Sequence, residues 1–312
     1  GPGYRFAVWA PNARAVSVVS DANGWTPGVQ SLHPVAASGI WAGYIPGFAK
    51  GWLYKFSVTQ QNGAVVEKAD PFAFCTEMRP GVAARAWDLD SYAWNDGAWM
   101  EQRRARGLPL TDPVAIYEVH AGSWRWKTAD YGSFYTYRDL AETLVPYVRD
   151  LGFTHIEFMP LAEHPLDESW GYQVGHYFAP TSRFGTPEDL RYLIDVCHQN
   201  GIGVILDWVP AHFPKDSWSL GRFDGTGLFE HEDPRQGEHP DWGTYVFNFD
   251  RHEVKNFLLA NALYWFKEFH LDGLRIDAVA SMLYLDYSRR EGQSIPNKYG
   301  GKVNIAAIEM LR

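Results

Sequence analysis

The sequence predicts two domains of different class, an all-β sandwich followed by an α/β domain. Two observations carry this prediction. From Tyr4 to about Trp94 the chain reads as short strand-like runs separated by turns, with no sustained helical period. From Ala115 onward, strand-like and helix-like segments alternate, the pattern of parallel strands joined by crossover helices. Between the two parts, the charged run Glu101 to Gly107 and the prolines Pro109 and Pro113 mark a linker.

In chain order, the first strands are Tyr4 to Trp9 and Ala15 to Val19, separated by a turn at Pro11-Asn12. A later strand, Trp52 to Thr59, stops at a turn on Asn62-Gly63. In the second part the strand candidates are Ala115 to His120, His155 to Pro160, Gly203 to Val209 and Gly273 to Val279. Each has the partly continuous apolar character of a parallel strand buried on both faces. The helix from Arg138 to Leu151 contains Pro146, which is expected to kink it. In the next helix Thr186 supplies an N-cap, Pro187 a first-turn proline and Asp189 the carboxylate of a capping box. Leu190, Leu193, Ile194 and Cys197 then form its apolar stripe, and Gly201 ends it. Val254, Phe257, Leu258, Ala262, Trp265, Phe266 and Phe269 keep the same period in a further helix. The alternation fits either a doubly wound sheet or a (β/α) barrel, and no glycine-rich phosphate fingerprint follows the first of these strands.

Composition narrows the function. A net charge of −9 with mixed signs and no basic tract makes a nucleic-acid backbone an unsuitable partner. No apolar run approaches the ~20 residues needed to cross a bilayer, and no basic-plus-apolar leader opens the chain, so a soluble protein is expected. Cys75 and Cys197 cannot build a disulfide framework, Cys197 falls on an apolar helix face, and a reducing cytoplasm is the simplest compartment. Aromatic residues are abundant at 16%; their flat faces suit sugar rings, and they also fill sandwich and barrel cores.

The chemistry concentrates in two runs. In HLDGLRIDAVASM, Arg275 and Asp277 stand two residues apart, so on a strand both project from the same face. A carboxylate that must stay ionised and attack an electrophilic carbon is helped by a fixed cation beside it, although the pair alone reads equally as a structural ion pair. In DWVPAH, Asp207 ends the preceding strand and His212 lies just beyond it. Two adjacent strands thus aim four polar groups at one mouth, where parallel barrels build their sites. Tyr172, in the loop SWGYQVGHYFAPTSRFG, is a candidate flat ring beside the reacting group, or an ordinary loop aromatic. Metal chemistry fits poorly: there is no HExxH or CxxC, and an arginine beside the key carboxylate repels cations. No nucleophile elbow is present for a Ser or Cys. A carboxylate nucleophile at Asp277 uses every residue found.

These residues, in this order, resemble glycoside hydrolase family 13, the α-amylase family, and more narrowly its glucan-branching members. The similarity extends through FAVWAPNARAVSVV, YEVHAGSWR, DLGFTHIEFMPLAEHP, SWGYQ, DWVPAHFP and NALYWFKEFHLDGLRIDAVASMLYLDYSR. It implies an α/β plus all-β protein: an immunoglobulin-like sandwich of the family 48 carbohydrate-binding type over residues 1–96, a linker over 97–112, and the first half of a (β/α)8 barrel over 113–312. It implies Asp277 as nucleophile, Arg275 as the cation that orients it, Asp207 and His212 as groups that hydrogen-bond the sugar being cleaved, and Tyr172 as the ring stacked on that sugar. Ala211 stands where many amylases have a calcium-binding Asn, so neither that site nor any other metal or cofactor is expected. His176 stands where many branching members have Gly.

A retaining glycosidase needs a second carboxylate ~5 Å from the nucleophile. In the family this acid comes from the fifth strand, and a further stabilising Asp comes from the seventh. The 312 residues reach only the helix after the fourth, where Glu309 is wrongly placed for the acid. The acid/base Glu is therefore expected outside them, in a longer polypeptide, with this part inactive alone. The activity implied is cleavage of an α-1,4-glucan through a glucosyl-enzyme and transfer to a 6-hydroxyl, forming an α-1,6 branch. A related debranching or trehalose-releasing hydrolase and a non-catalytic glucan-binding fragment are the alternatives. The expected partner is glycogen, amylose or a malto-oligosaccharide, with no nucleic acid or membrane, and the expected state is a cytoplasmic monomer. In the sandwich, Trp25, Trp41 and Trp52 are candidate sugar platforms that compete with a packing role.

Overall fold

Alternation of inward and outward side chains shapes the start of the chain in the computed structural model, which describes residues 2–107 and 111–312. Eight strands come first: β1 (Gly3–Trp9), β2 (Ala15–Ser20), β3 (Gln30–Ser31), β4 (His33–Pro34), β5 (Ile40–Pro46), β6 (Leu53–Thr59), β7 (Val65–Lys68) and β8 (Ala84–Arg85). They form two antiparallel sheets, ordered β1-β5-β4 and β3-β2-β6-β7, with β8 also paired to β6. Phe6 and Val8 of β1 are buried at alternate positions, whereas β2 is buried throughout Val16–Ser20 and β6 buries Tyr54 and Phe56 to Val58. The ring of Phe6 meets Tyr54 of the opposite sheet edge-on at 5.0 Å, which closes the sandwich core.

The second part holds α1 (Gly97–Arg106), β9 (Ile116–Val119), α2 (Tyr137–Asp150), β10 (His155–Phe158), β11 (Ala162–Glu163), β12 (His176–Pro180), α3 (Pro187–Gln199) and β13 (Gly203–Trp208). It continues through β14 (His212–Phe213), α4 (Pro234–Gly237), β15 (Glu238–His239), β16 (Thr244–Val246), α5 (His252–Glu268), β17 (Gly273–Ile276), α6 (Val279–Leu283) and α7 (Ile305–Leu311). Strands β9, β10, β13 and β17 form one parallel sheet in sequential order, with α2, α3 and α5 as the returns. A doubly wound sheet reverses its strand order at a switch point, whereas sequential order is that of a barrel. The structure therefore decides between the two layouts that the sequence pattern allowed.

Several expectations are refined. The last strand stops at Ile276, three residues before the predicted Val279: after the amide of Asp277 donates to Trp208 O (2.8 Å), Ala278 turns left-handed at φ 55° and α6 begins. Helix α2 runs through Pro146 without interruption. Residues 97–106 of the expected linker form a helix, while Pro109 lies outside the described residues. That helix is docked, because Trp99 Nε1 (2.9 Å) and Arg103 Nη1 (2.8 Å) both donate to Asp272, just before β17 and at the opposite end of the sheet from Asp277.

The sandwich is fastened to the barrel portion along residues 68–96. Phe72 packs on Phe178 and Phe257, Phe74 stacks on Tyr264 at 5.5 Å, Trp87 Nε1 donates to Glu188, and Tyr92 OH donates to Asp195.

Candidate functional site

Asp207 and Arg275 are Cα register partners on the neighbouring parallel strands β13 and β17, so their side chains leave the same face. Asp277, two residues past Arg275, shares that face. One guanidinium nitrogen ties the three together: Arg275 Nη1 donates to Asp207 Oδ1 and Oδ2 at 2.9 and 3.0 Å and to Asp277 Oδ1 at 2.7 Å. Two carboxylates are thus held close by one fixed cation.

Tyr172 closes the arrangement from the loop before β12. Its OH donates to Asp207 Oδ2 at 2.6 Å, and its carbonyl accepts from His212 Nε2 at 3.0 Å. His212 belongs to the two-residue strand β14, paired with β16, and is therefore fixed more firmly than a loop histidine. All five residues singled out in the sequence lie in one connected set.

Electrostatics follow from burial. The Asp207 side chain is 2% exposed, and desolvation pushes its carboxyl up to about 6 against the lowering effect of its bonds to Tyr172 and Arg275. Burial likewise raises the Tyr172 phenol, helped by the bond to Asp207, and keeps that proton in place. For Arg275, burial favours the neutral form, but the bonds to Asp207 and Asp277 outweigh it and hold the guanidinium charged. Burial lowers His212 despite Asp277 and the Tyr172 carbonyl, so the imidazole is neutral with its proton on Nε2. Its Nδ1 is buried without a partner among the described residues.

Some neighbours escaped the sequence reading. His239 and Trp242 pack beside His212, with Trp242 at 5.0 Å from the His212 ring. Asp167, Arg183 and Arg79 form an ion-pair group under the Tyr172 loop. No periodicity or motif marks these residues, since only tertiary contact brings them to the site.

Glu309, in α7, is exposed and pairs with Lys255 at 3.8 Å. Among the described residues no cluster of three or more His, Cys, Asp or Glu is arranged to hold a metal. His176 is buried in β12 and stacked on Trp218. In the sandwich, Trp41 Nε1 is bonded to Ala10 O, Trp52 meets Phe48 edge-on, and Trp25 Nε1 reaches Asp21 at the surface.

The chain is similar to known proteins in both of its parts. Residues 1–73 match the family described as carbohydrate-binding module 48 (isoamylase N-terminal domain), and residues 98–224 match the α-amylase catalytic domain. The chain is 68% identical over 310 residues to the 1,4-alpha-glucan branching enzyme GlgB of Oleidesulfovibrio alaskensis, covering 99% of this chain and 49% of that protein. It is 58% identical over 311 residues to the protein of the same name from Methylobacillus flagellatus, covering 99% of this chain and 42% of that one. A solved structure from Salmonella typhimurium, assigned as an α-amylase, superposes with a TM-score of 0.69 at 28% identity, over 89% of this chain and 42% of the other. The chain spans about half the length of the curated relatives it matches.

Proposed function

We propose that this chain, whose residues 1–73 match carbohydrate-binding module 48 and whose residues 98–224 match the α-amylase catalytic domain, forms the nucleophile-bearing part of a 1,4-α-glucan branching enzyme. The observation that carries the reading is the single Arg275 nitrogen bonded to Asp277 and Asp207 at two adjacent strand ends. A carboxyl group fixed by a cation at the end of a parallel strand suits attack on an anomeric carbon. The branching assignment rests on relatives at 53–68% identity over 99% of the chain.

In this reading an oxygen of Asp277 attacks C1 of a glucose unit and the C1–O4 bond breaks. The leaving O4 takes a proton from a carboxylic acid, which becomes a carboxylate and which the reading does not assign to any of residues 1–312. The 6-hydroxyl of a second glucan then attacks C1, returns a proton to that carboxylate and displaces Asp277, so two inversions give retention. Asp207 and His212 hydrogen-bond the glucose under attack, Tyr172 lies against its face, and Arg275 keeps Asp277 aimed. We assign residues 1–96 to the sandwich and 113–312 to the catalytic part. Cys75 and Cys197 are both free and buried, which suits the reducing compartment of this reading, and no described helix is long and apolar enough to cross a membrane.

The test uses the full-length protein acting on amylose. Branching lowers iodine–glucan absorbance without new reducing ends, and Asp277→Asn should reduce that rate on the order of 10³-fold or more while leaving the fold intact by circular dichroism. Retained activity in the variant refutes the nucleophile assignment, and release of reducing sugar by the wild type reassigns the activity to hydrolysis.

A further inference from the structure

Residues 74–97 lie outside both matched families, yet they carry an arginine that grips the loop leading to Tyr172. Arg79 grips Asp167 with two donors, Nε to Oδ1 at 2.6 Å and Nη2 to Oδ2. Arg183 Nε, from the far side, donates to the same Oδ1 at 2.7 Å, and Tyr131 OH reaches Oδ2 at 3.1 Å. The Asp167 carboxyl is held well below the usual carboxylate range, first by the bonds from Arg79.

Asp167 opens the 3-10 turn Asp167–Ser169, and the next two residues, Trp170 and Gly171, lead directly to Tyr172. This connection is stiff. Trp170 sits at φ +54° with its N–H on Asp167 O, a costly conformation for a side chain that is also 57% exposed. Gly171 follows at φ +93°, and a Cβ there would fall 2.5 Å from Pro160 O. The Tyr172 amide then donates to Ser169 O at 3.0 Å. The strained turn continues into the residue whose OH holds Asp207 and whose carbonyl holds His212.

We propose that Arg79, in the strap between the sandwich and the barrel, is a positioning residue for the active site: through Asp167 it sets the turn that places Tyr172. The bidentate fork is what fixes the angle of that turn, so a lysine, which offers a point charge, restores only part of the effect. The proposal rests on the reading of Tyr172 as a substrate-contacting residue.

The experiment is a double-mutant cycle in the full-length protein, read as kcat/KM on amylose with thermal midpoints recorded alongside. Arg79→Met should lower kcat/KM about tenfold or more, and Arg79→Lys should recover part of the loss. In a Tyr172→Ala background, Arg79→Met should cost less than twofold further, because the residue it positions is gone. Effects that multiply, or an Arg79→Met loss in midpoint with kcat/KM unchanged, overturn the proposal while leaving the site reading intact. Unchanged kcat/KM in Tyr172→Ala alone overturns the site reading and the proposal together.

Discussion

Asp207 shows how one side chain carries opposing demands. It is buried, it accepts from Tyr172 and Arg275, and its carboxyl is nevertheless pushed up to about 6 because desolvation is the largest effect. A folded-state value above that of the unfolded chain means that the folded protein binds the proton more tightly. The resulting stability is fully present below about 4 and is lost as pH rises through about 6. Asp207→Asn lacks this titration, so denaturation midpoints followed from pH 4 to 8 should shift in the variant's favour as pH rises through 6. A constant difference between the two proteins across that range would show that burial does not control this carboxyl. That Arg275 stands beside Asp277 was legible from spacing alone, because i and i+2 on a strand share a face. That its nitrogen also binds Asp207 was not legible, because the bond depends on strand register.

Helix α3 is the element whose local sequence and structure agree most closely. Thr186 caps it and accepts from the amide of Asp189, whose carboxylate answers the Thr186 amide, with Pro187 in the first turn. Thr186→Ala should cost about 1 kcal/mol in denaturant unfolding; a cost near zero would mean that the Arg138–Asp189 ion pair at 2.5 Å holds the helix start alone. Other boundaries were less legible. The end of β17 is set by the left-handed Ala278, a residue with no turn signature, and α2 survives Pro146 through its buried face of Leu140, Leu144, Val145 and Val148. The helix inside the expected linker, α1, buries none of its residues and is fixed by polar contacts to Asp272, His270 and Leu271, which lie far away in sequence. No local pattern announces such contacts.

At the scale of the molecule, sandwich and barrel act as one body because polar groups cross between them. Lys68, at the end of β7, is 2% exposed and donates through Nζ to Ser217 O, Ser219 O and Gly221 O at 2.6, 3.3 and 2.7 Å. Three acceptors match the three protons of an ammonium; burial lowers its value only to about 8, so it is charged at neutral pH. Lys68→Met strands those carbonyls and should destabilise the protein by about 2–4 kcal/mol, with a single calorimetric transition lost in favour of two. An unchanged midpoint would show that the apolar contacts of Phe72 and Phe74 suffice to join the domains.

The sequence by itself determined the two-domain order, most strands and helices, and the residues with a motif behind them: Asp277, Arg275, Asp207, His212 and Tyr172. The elements follow from periodicity and capping and the Arg275/Asp277 pairing from spacing, all of which act over a few residues; the roles expected of these five residues come from the family resemblance. The sequential order of the parallel strands, the register that sets Asp207 opposite Arg275, and the grip of Arg79 on Asp167 were decided only by the tertiary structure. Arg79 and Asp167 are 88 residues apart, and such pairs meet only after packing has fixed where each segment crosses the next.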